Sequence, residues 1–302
     1  MRILFVTSNR LGDAVLSTGL LDHIIRTHPN ARITVVCGPV AEGVFACMPN
    51  RERTIVLRKQ KWGLHWLPLW AGAAARVWDL VVDIRGSALS WLVPTRARAV
   101  FHRTRGPKIA QLGALLGLSP PPPPVAWTSE ADRQRIAKLL PIGRPIIALA
   151  PTANWGPKVW PADRFAEVFH RLAGPDGLTR SGAVAVVLGG PGAAEHAMAA
   201  PLLAALPGAI DLVGRLTLPE VVACLERAGV FVGNDSGLMH LAAAAGTPTV
   251  GLFGPTDAAT YGPTGRCASA VVGTTMDAIT VEQVVATAEH LLRGTGGQVT
   301  AM

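Results

Sequence analysis

The 302-residue chain has little that would tie it to a metal, a disulfide framework or a bilayer span. Its four cysteines, Cys37, Cys47, Cys224 and Cys267, form no Cys-x-x-Cys pair. That spacing argues against structural zinc, and so few thiols in so long a chain are not a disulfide scaffold. They read as reduced, mostly buried side chains. No apolar run approaches the ~20 residues of a membrane span. The opening MRILFVTSN has only a short apolar run, Ile3 to Val6, too short for the core of an export signal. The expectation is a soluble or peripheral protein. No Gly-x-x-x-x-Gly-Lys-Ser/Thr occurs, nor Gly-x-Gly-x-x-Gly behind a strand, which argues against P-loop and standard dinucleotide sites. No Asp-x-Asp is present to hold a metal on a diphosphate.

What is present is a rich apolar content, 49% hydrophobic with mean hydropathy +0.34, enough for large cores. Charge is uneven. Residues 1–140 carry 19 Lys and Arg against 8 Asp and Glu, whereas residues 141–302 carry 9 against 12. The first half should attract a polyanion or an anionic membrane surface. Nucleic acid is not expected, because no zinc-finger spacing, RNP-like motif or aromatic-interleaved basic stripe accompanies the charge.

Apolar strand-like runs alternate with helical patterns throughout. Strands are expected at Ile3–Thr7, Ile33–Cys37, Thr54–Leu57, Leu80–Ile84 and Ala99–His102. The second series falls at Ile146–Ala150, Ala183–Leu188, Asp211–Val213, Val230–Gly233 and Thr249–Phe253. Helices fill the intervals, among them Asp13–Thr27, Leu64–Val77, Glu130–Leu140 and Gly237–Ala245. Strands this apolar imply parallel sheets covered on both faces. The expected fold is α/β, two doubly wound Rossmann-like domains facing across a cleft. The five prolines of SPPPPPVAW separate the halves. The boundary is placed near Pro141, giving domains 1–140 and 141–302.

Four strand-to-helix junctions carry candidate chemistry. In TSNRLGDAVLS, Asp13 either accepts backbone N–H groups at a helix start or presents a carboxylate that can take a proton from a hydroxyl. In APTANWGPKVWPADRF, Lys158 is either a solvated loop lysine or a phosphate partner. In VVLGGPGAAEHAMA, Glu195 complements a helix dipole or holds a ribose or base. In FVGNDSGLMHLAAAAG, loop amides and a helix N-terminus make an anion site. There Asp235 is an N-cap or a ligand to a sugar hydroxyl or loop amide. Ser236 adds a hydroxyl, and His240 lies one turn further in, as a structural or a functional residue.

Together these motifs resemble glycosyltransferase family 9, the ADP-heptose:lipopolysaccharide heptosyltransferases. The resemblance runs from RILFVTSNRLGDAVLSTGLL through DLVVDIRGS and APTANWGPKVWPADRFAEV to GNDSGLMHLAAAAGTPTVGLFGPTD, nearly the whole chain. Gly19 stands where the family often has proline. The resemblance implies a GT-B fold and inverting, metal-independent transfer of heptose or a related sugar from ADP-heptose to a lipopolysaccharide core acceptor, with no cofactor. It implies Asp13 as the base and Lys158 on the donor diphosphate. Asp235, Ser236 and Gly237, with His240 close by, would hold the donor phosphates and sugar. Thr152 is a further candidate on the phosphates, Glu195 on the nucleoside and Leu216 near the adenine. The first domain would face the acceptor and the second the nucleotide. A nucleotide-sugar epimerase and a non-catalytic nucleotide-sugar-binding protein are the alternatives.

The resemblance also gives the charge asymmetry a use, since a lipid-linked saccharide acceptor at the cytoplasmic face of a Gram-negative inner membrane is strongly anionic. Arg10, Arg58, Lys61, Arg85 and Arg103 are the candidates for holding it. Trp62, Trp66 and Trp70 recur at spacing four. They form one stripe if helical, buried in the core or touching lipid.

Overall fold

The computed structural model describes residues 1–58, 66–174 and 182–294, with the backbone alone for 66–69. Lys61 and Trp62 lie outside the described residues. The chain forms two compact units, residues 1–127 and 128–302.

The first unit is built on β1 (Arg2–Val6), β2 (Arg32–Cys37), β3 (Arg51–Val56), β4 (Trp78–Asp83) and β5 (Thr95–Val100) in the order β3-β2-β1-β4-β5. Every pairing is parallel. The central strands are runs of Ile, Leu, Val and Phe because both faces are covered. On one face Leu4, Val6, Val36 and Val81 meet Ala73, Leu89 and Val93, carried by or next to α3 (Trp66–Ala74) and α4 (Leu89–Leu92).

The expected helix 13–27 is two helices, α1 (Leu11–Leu16) and α2 (Thr18–Thr27). Ser17 interrupts it. Its hydroxyl donates to the Ala14 carbonyl at 2.7 Å and meets the Thr7 hydroxyl at 3.0 Å, a side-chain competition that bends helices. Strand β5 begins four residues before its expected start, because an edge strand needs no continuous apolar run and this one alternates arginine with alanine. After β5 comes α5 (Lys108–Ala114).

The second unit begins with α6 (Glu130–Leu139), which the sequence assigned to the first half. Thr128 donates to the Pro219 carbonyl at 2.8 Å, Arg133 pairs with Glu226 at 2.8 Å and Arg135 with Glu220 at 2.8 Å. These contacts tie α6 to α9 (Leu218–Glu226), so the division falls before it and not at Pro141. The sheet runs β11-β10-β9-β6-β7-β8 and is again parallel throughout. Its strands are β6 (Ile146–Ala150), β7 (Val184–Val187), β8 (Ile210–Asp211), β9 (Val230–Asn234), β10 (Thr249–Phe253) and β11 (Ala268–Val272). β11 was not expected. It is a part-exposed edge, ASAVV, without the strong apolar signal of its neighbours. Helices α7 (Ala162–Ala173), α8 (Ala193–Ala205), α10 (Gly237–Ala244), α11 (Ala258–Tyr261) and α12 (Val281–Gly294) complete the unit. The Cys37 and Cys224 thiols are buried, and burial pushes both up to about 12, consistent with inert core side chains.

The proline segment belongs to the first unit. The Val125 amide donates to the Thr18 hydroxyl at 2.9 Å. A Cβ on Gly19 would strike the Pro122 carbonyl oxygen and lie 2.7 Å from that of Pro123. Gly19 is therefore where the segment's backbone rests on α2. Alanine gains up to ~1 kcal/mol of helix propensity, but here it must displace backbone. Gly19→Ala is expected to destabilise the protein by about 1–3 kcal/mol in urea unfolding; a stabilised variant would show that the segment does not rest there.

Candidate functional site

In a doubly wound sheet, loops leaving the carboxyl ends of the strands part where the strand order reverses, and ligands bind there. The reversals fall between β1 and β4 in the first unit and between β6 and β9 in the second. Asp13 follows β1, Lys158 follows β6, and Asp235, Ser236 and His240 follow β9.

In the second unit Lys158 leaves β6 in a short 3-10 turn, Gly156–Lys158, and Asp235 follows β9 directly. The Lys158 ammonium donates to Asp235 Oδ2 at 2.6 Å. The two side chains are 19% and 10% exposed, so this is a largely desolvated pair. Asn234, fully buried, fixes the loop that carries Lys158. Its Nδ2 donates to the Pro151 carbonyl at 2.8 Å and its Oδ1 accepts from the Trp160 amide at 3.2 Å. Trp160 is itself fully buried, edge-on to Phe165 at 5.0 Å, with its indole N–H on the Ile279 carbonyl at 3.1 Å. The lysine is thus positioned from both ends of its loop.

Ser236 is the N-cap of α10, yet its side chain makes no capping bond. Its Oγ is buried and has no partner among the described residues. Gly237 opens the helix, whose first amides point outward by geometry. His240 is buried one turn further along α10. A hydroxyl, a helix N-terminus and a lysine therefore come together at the reversal between β6 and β9, an arrangement suited to a phosphate.

The other predicted residues of this unit sit on neighbouring loops. Thr152 is buried just beyond β6, and its Cγ2 would lie 3.4 Å from a Cβ on Gly189, after β7. Glu195 turns back so that Oε2 accepts the Gly190 amide at 3.0 Å, closing its own Gly-Gly-Pro-Gly loop. Leu216 is half-buried between β8 and α9.

In the first unit Asp13 is the third residue of α1 and not its cap, which is Arg10. The Ser8 hydroxyl accepts the Arg10 amide at 3.1 Å and donates to Asp13 Oδ2 at 3.3 Å. Arg10, Arg58, Arg85 and Arg103 are exposed and follow β1, β3, β4 and β5, so the topology brings all four to the carboxyl edge with Asp13. Arg85 donates to Asn9 at 3.2 Å. The fully buried Asp83, the last residue of β4, accepts the Arg85 and Ser87 amides, each at 2.8 Å, which fixes the loop that follows. Lys61 lies outside the described residues.

Sequence reasoning passed over Lys108. It opens α5, half-buried, with its ammonium 3.8 Å from the centre of the Phe101 ring. Burial pushes its pKa down, the nearby Asp13 carboxylate pushes it up, and Arg103 pushes it down. One signal was available. Gly-Pro-Lys occurs at 106–108 and again at 156–158, each time after a strand of its own sheet. Among the described residues no group of three His, Cys, Asp or Glu could hold a metal ion.

A family model described as "Glycosyltransferase family 9 (heptosyltransferase)" matches residues 79–288. The chain belongs to that family. It is 29% identical over 303 aligned residues to lipopolysaccharide heptosyltransferase 1 of Pseudomonas aeruginosa, covering 88% of this chain and 82% of that protein. The solved ADP-heptose lipopolysaccharide heptosyltransferase II of Escherichia coli aligns at TM-score 0.78 and 23% identity, over 98% of this chain and all of that one. A more distant match is TibC of enterotoxigenic E. coli, an iron-containing dodecameric glycosyltransferase, at TM-score 0.56 and 17% identity, over 99% of this chain and 80% of that one. The fold is GT-B, and the protein is a glycosyltransferase.

Removing the Asn234 amide would leave the Trp160 N–H and the Pro151 carbonyl buried and unpaired. Asn234→Ala is expected to cost about 2–4 kcal/mol in denaturant unfolding. A variant as stable as the parent would remove Asn234 from this positioning role.

Proposed function

We propose that the protein is an inverting, metal-independent transferase that moves heptose or a related sugar from ADP-heptose to a lipopolysaccharide core acceptor. The observation that carries this reading is the Lys158–Asp235 pair beside the N-terminus of α10 in a family 9 glycosyltransferase. The functions named for its relatives agree with it.

An ammonium has three N–H donors. One is used by Asp235, and the others can reach diphosphate oxygens. The α10 amides and the Ser236 hydroxyl add donors that carry no competing carboxylate. Asp13 takes the proton of the acceptor hydroxyl as its oxygen attacks the anomeric carbon of the donor sugar. The new C–O bond forms as the bond from that carbon to the phosphate oxygen breaks, and the electron pair leaves with ADP. Attack opposite the leaving group inverts the anomeric centre. Lys158 and the helix N-terminus stabilise the charge growing on the departing diphosphate. The Ser8 hydroxyl holds the Asp13 carboxylate in one orientation. Thr152, Glu195, Leu216, Gly237 and His240 complete the donor side in this proposal. Arg10, Arg58, Lys61, Arg85 and Arg103 hold the anionic lipid-linked acceptor, and the protein works peripherally at the cytoplasmic face of the inner membrane.

Asp13→Ala is expected to lower turnover by about 10²–10⁴-fold while ADP affinity in calorimetry stays within about twofold; near-normal turnover would take Asp13 out of the mechanism. Lys158→Ala leaves the Asp235 carboxylate buried and unpaired, so it should lower stability by about 3–5 kcal/mol as well as weaken ADP-sugar binding. Unchanged donor affinity would remove the lysine from the diphosphate. Turnover should survive EDTA, and loss restored by a divalent ion would end the metal-free reading.

A further inference from the structure

Single exposed apolar side chains are ordinary on a protein surface. Three large ones gather where α3 meets α4: Trp70, 45% exposed, Trp91, 59%, and Leu92, 61%. The core side of α4 is already used, since Leu89 and the following Val93 pack with Ala73 against the sheet. Trp91 and Leu92 are therefore the outward half of this helix. The Trp70 indole donates to the Leu92 carbonyl at 2.9 Å. Its polar atom is satisfied within the protein, and its ring can enter an apolar medium without stranding a donor.

Arginines interleave with these side chains. Arg96 and Arg98 lie two apart on the edge strand β5. The Arg98 guanidinium stands 5.0 Å from the Trp91 ring centre. Arg96 is 79% exposed and reaches Asp79 at 3.3 Å. Across residues 70–105 there are six arginines and two aspartates, and one of those, Asp83, is buried against its own loop. A cation–π pair alone would account for one stacked ring, but not for Leu92 and Trp70 beside it.

We infer that this α3–α4–β5 surface docks on an anionic lipid bilayer, with Trp70, Trp91 and Leu92 in the headgroup zone and Arg96 and Arg98 on lipid phosphates. Indole rings with flanking cations favour that zone, and arginines add attraction to anionic headgroups. Among the described residues no helix is long and apolar enough to cross a membrane. The contact is one of surface side chains. The inference rests on the proposed reading to the extent that a lipid-linked acceptor places the substrate in a bilayer.

The full-length protein is to be sedimented with vesicles of equal phosphatidylglycerol and phosphatidylcholine, and with phosphatidylcholine alone. Binding is expected to the anionic vesicles and to weaken as salt rises. A Trp91→Ser, Leu92→Ser double variant should lower partitioning by about tenfold or more. An Arg96→Gln, Arg98→Gln variant should lower it about fivefold per arginine and flatten the salt dependence. Both variants should keep the parent's thermal midpoint, because the altered side chains are exposed, and its ADP affinity, because none of these residues belongs to the second unit. A protein that sediments through Trp91 yet binds no ADP-sugar would sink the transferase reading and leave this surface standing. A parent that ignores anionic vesicles, or variants that sediment as the parent does, would overturn the inference. So would a dimer in sedimentation equilibrium that the Trp91 and Leu92 changes dissolve, which would assign the face to a second copy.

Discussion

The Lys158–Asp235 pair sets the terms for the second unit. A lysine that far from water needs a carboxylate, and a carboxylate that far from water needs a cation. Either alone at the β6–β9 reversal would be costly, and together they place a partly neutralised ammonium beside a helix N-terminus. The residues around them serve that placement. Asn234, one position before Asp235, ties both ends of the lysine's loop to the end of β9. Trp160 anchors the same loop in the core. The Ser236 hydroxyl, without a partner among the described residues, and the α10 amides then provide acceptor-hungry groups whose charge is not already cancelled.

The first unit divides its positive charge by topology. Arginines that follow strands, Arg10, Arg58, Arg85 and Arg103, come to the carboxyl edge with Asp13 and Lys108. Arginines within an edge strand, Arg96 and Arg98, lie along the sheet's flank beside exposed tryptophan. One excess of charge thus has two addresses. The proposed mechanism uses the first for an anionic acceptor. The second fits the lipid surface in which such an acceptor would be embedded.

The legible parts of the fold were those written locally. Central strands such as Ile146–Ala150 and Thr249–Phe253 begin and end where their apolar runs do, because burial on both faces demands such runs. Edge strands were shifted or missed. β5 alternates arginine with alanine and β11 is half exposed, so neither carries a strong apolar signal. Helix α6 was legible as a helix, but its allegiance was not, since the Arg133 and Arg135 partners lie some 90 residues away in α9. Likewise Ser17 reads as an ordinary helical residue until Thr7 is seen beside it.

The sequence by itself determined the family, the two βα series and the kinds of residue at each strand exit, because these follow from local pattern and short motifs. Which of those residues meet was decided only by tertiary structure. Lys158 and Asp235 are 77 positions apart and are joined because β6 and β9 are neighbours in the sheet. Lys108 stacks over Phe101 near Asp13 because β1, β4 and β5 share one edge. Strand order sets these distances, and strand order is a property of how helices cross over a twisted sheet, not of any one stretch of chain.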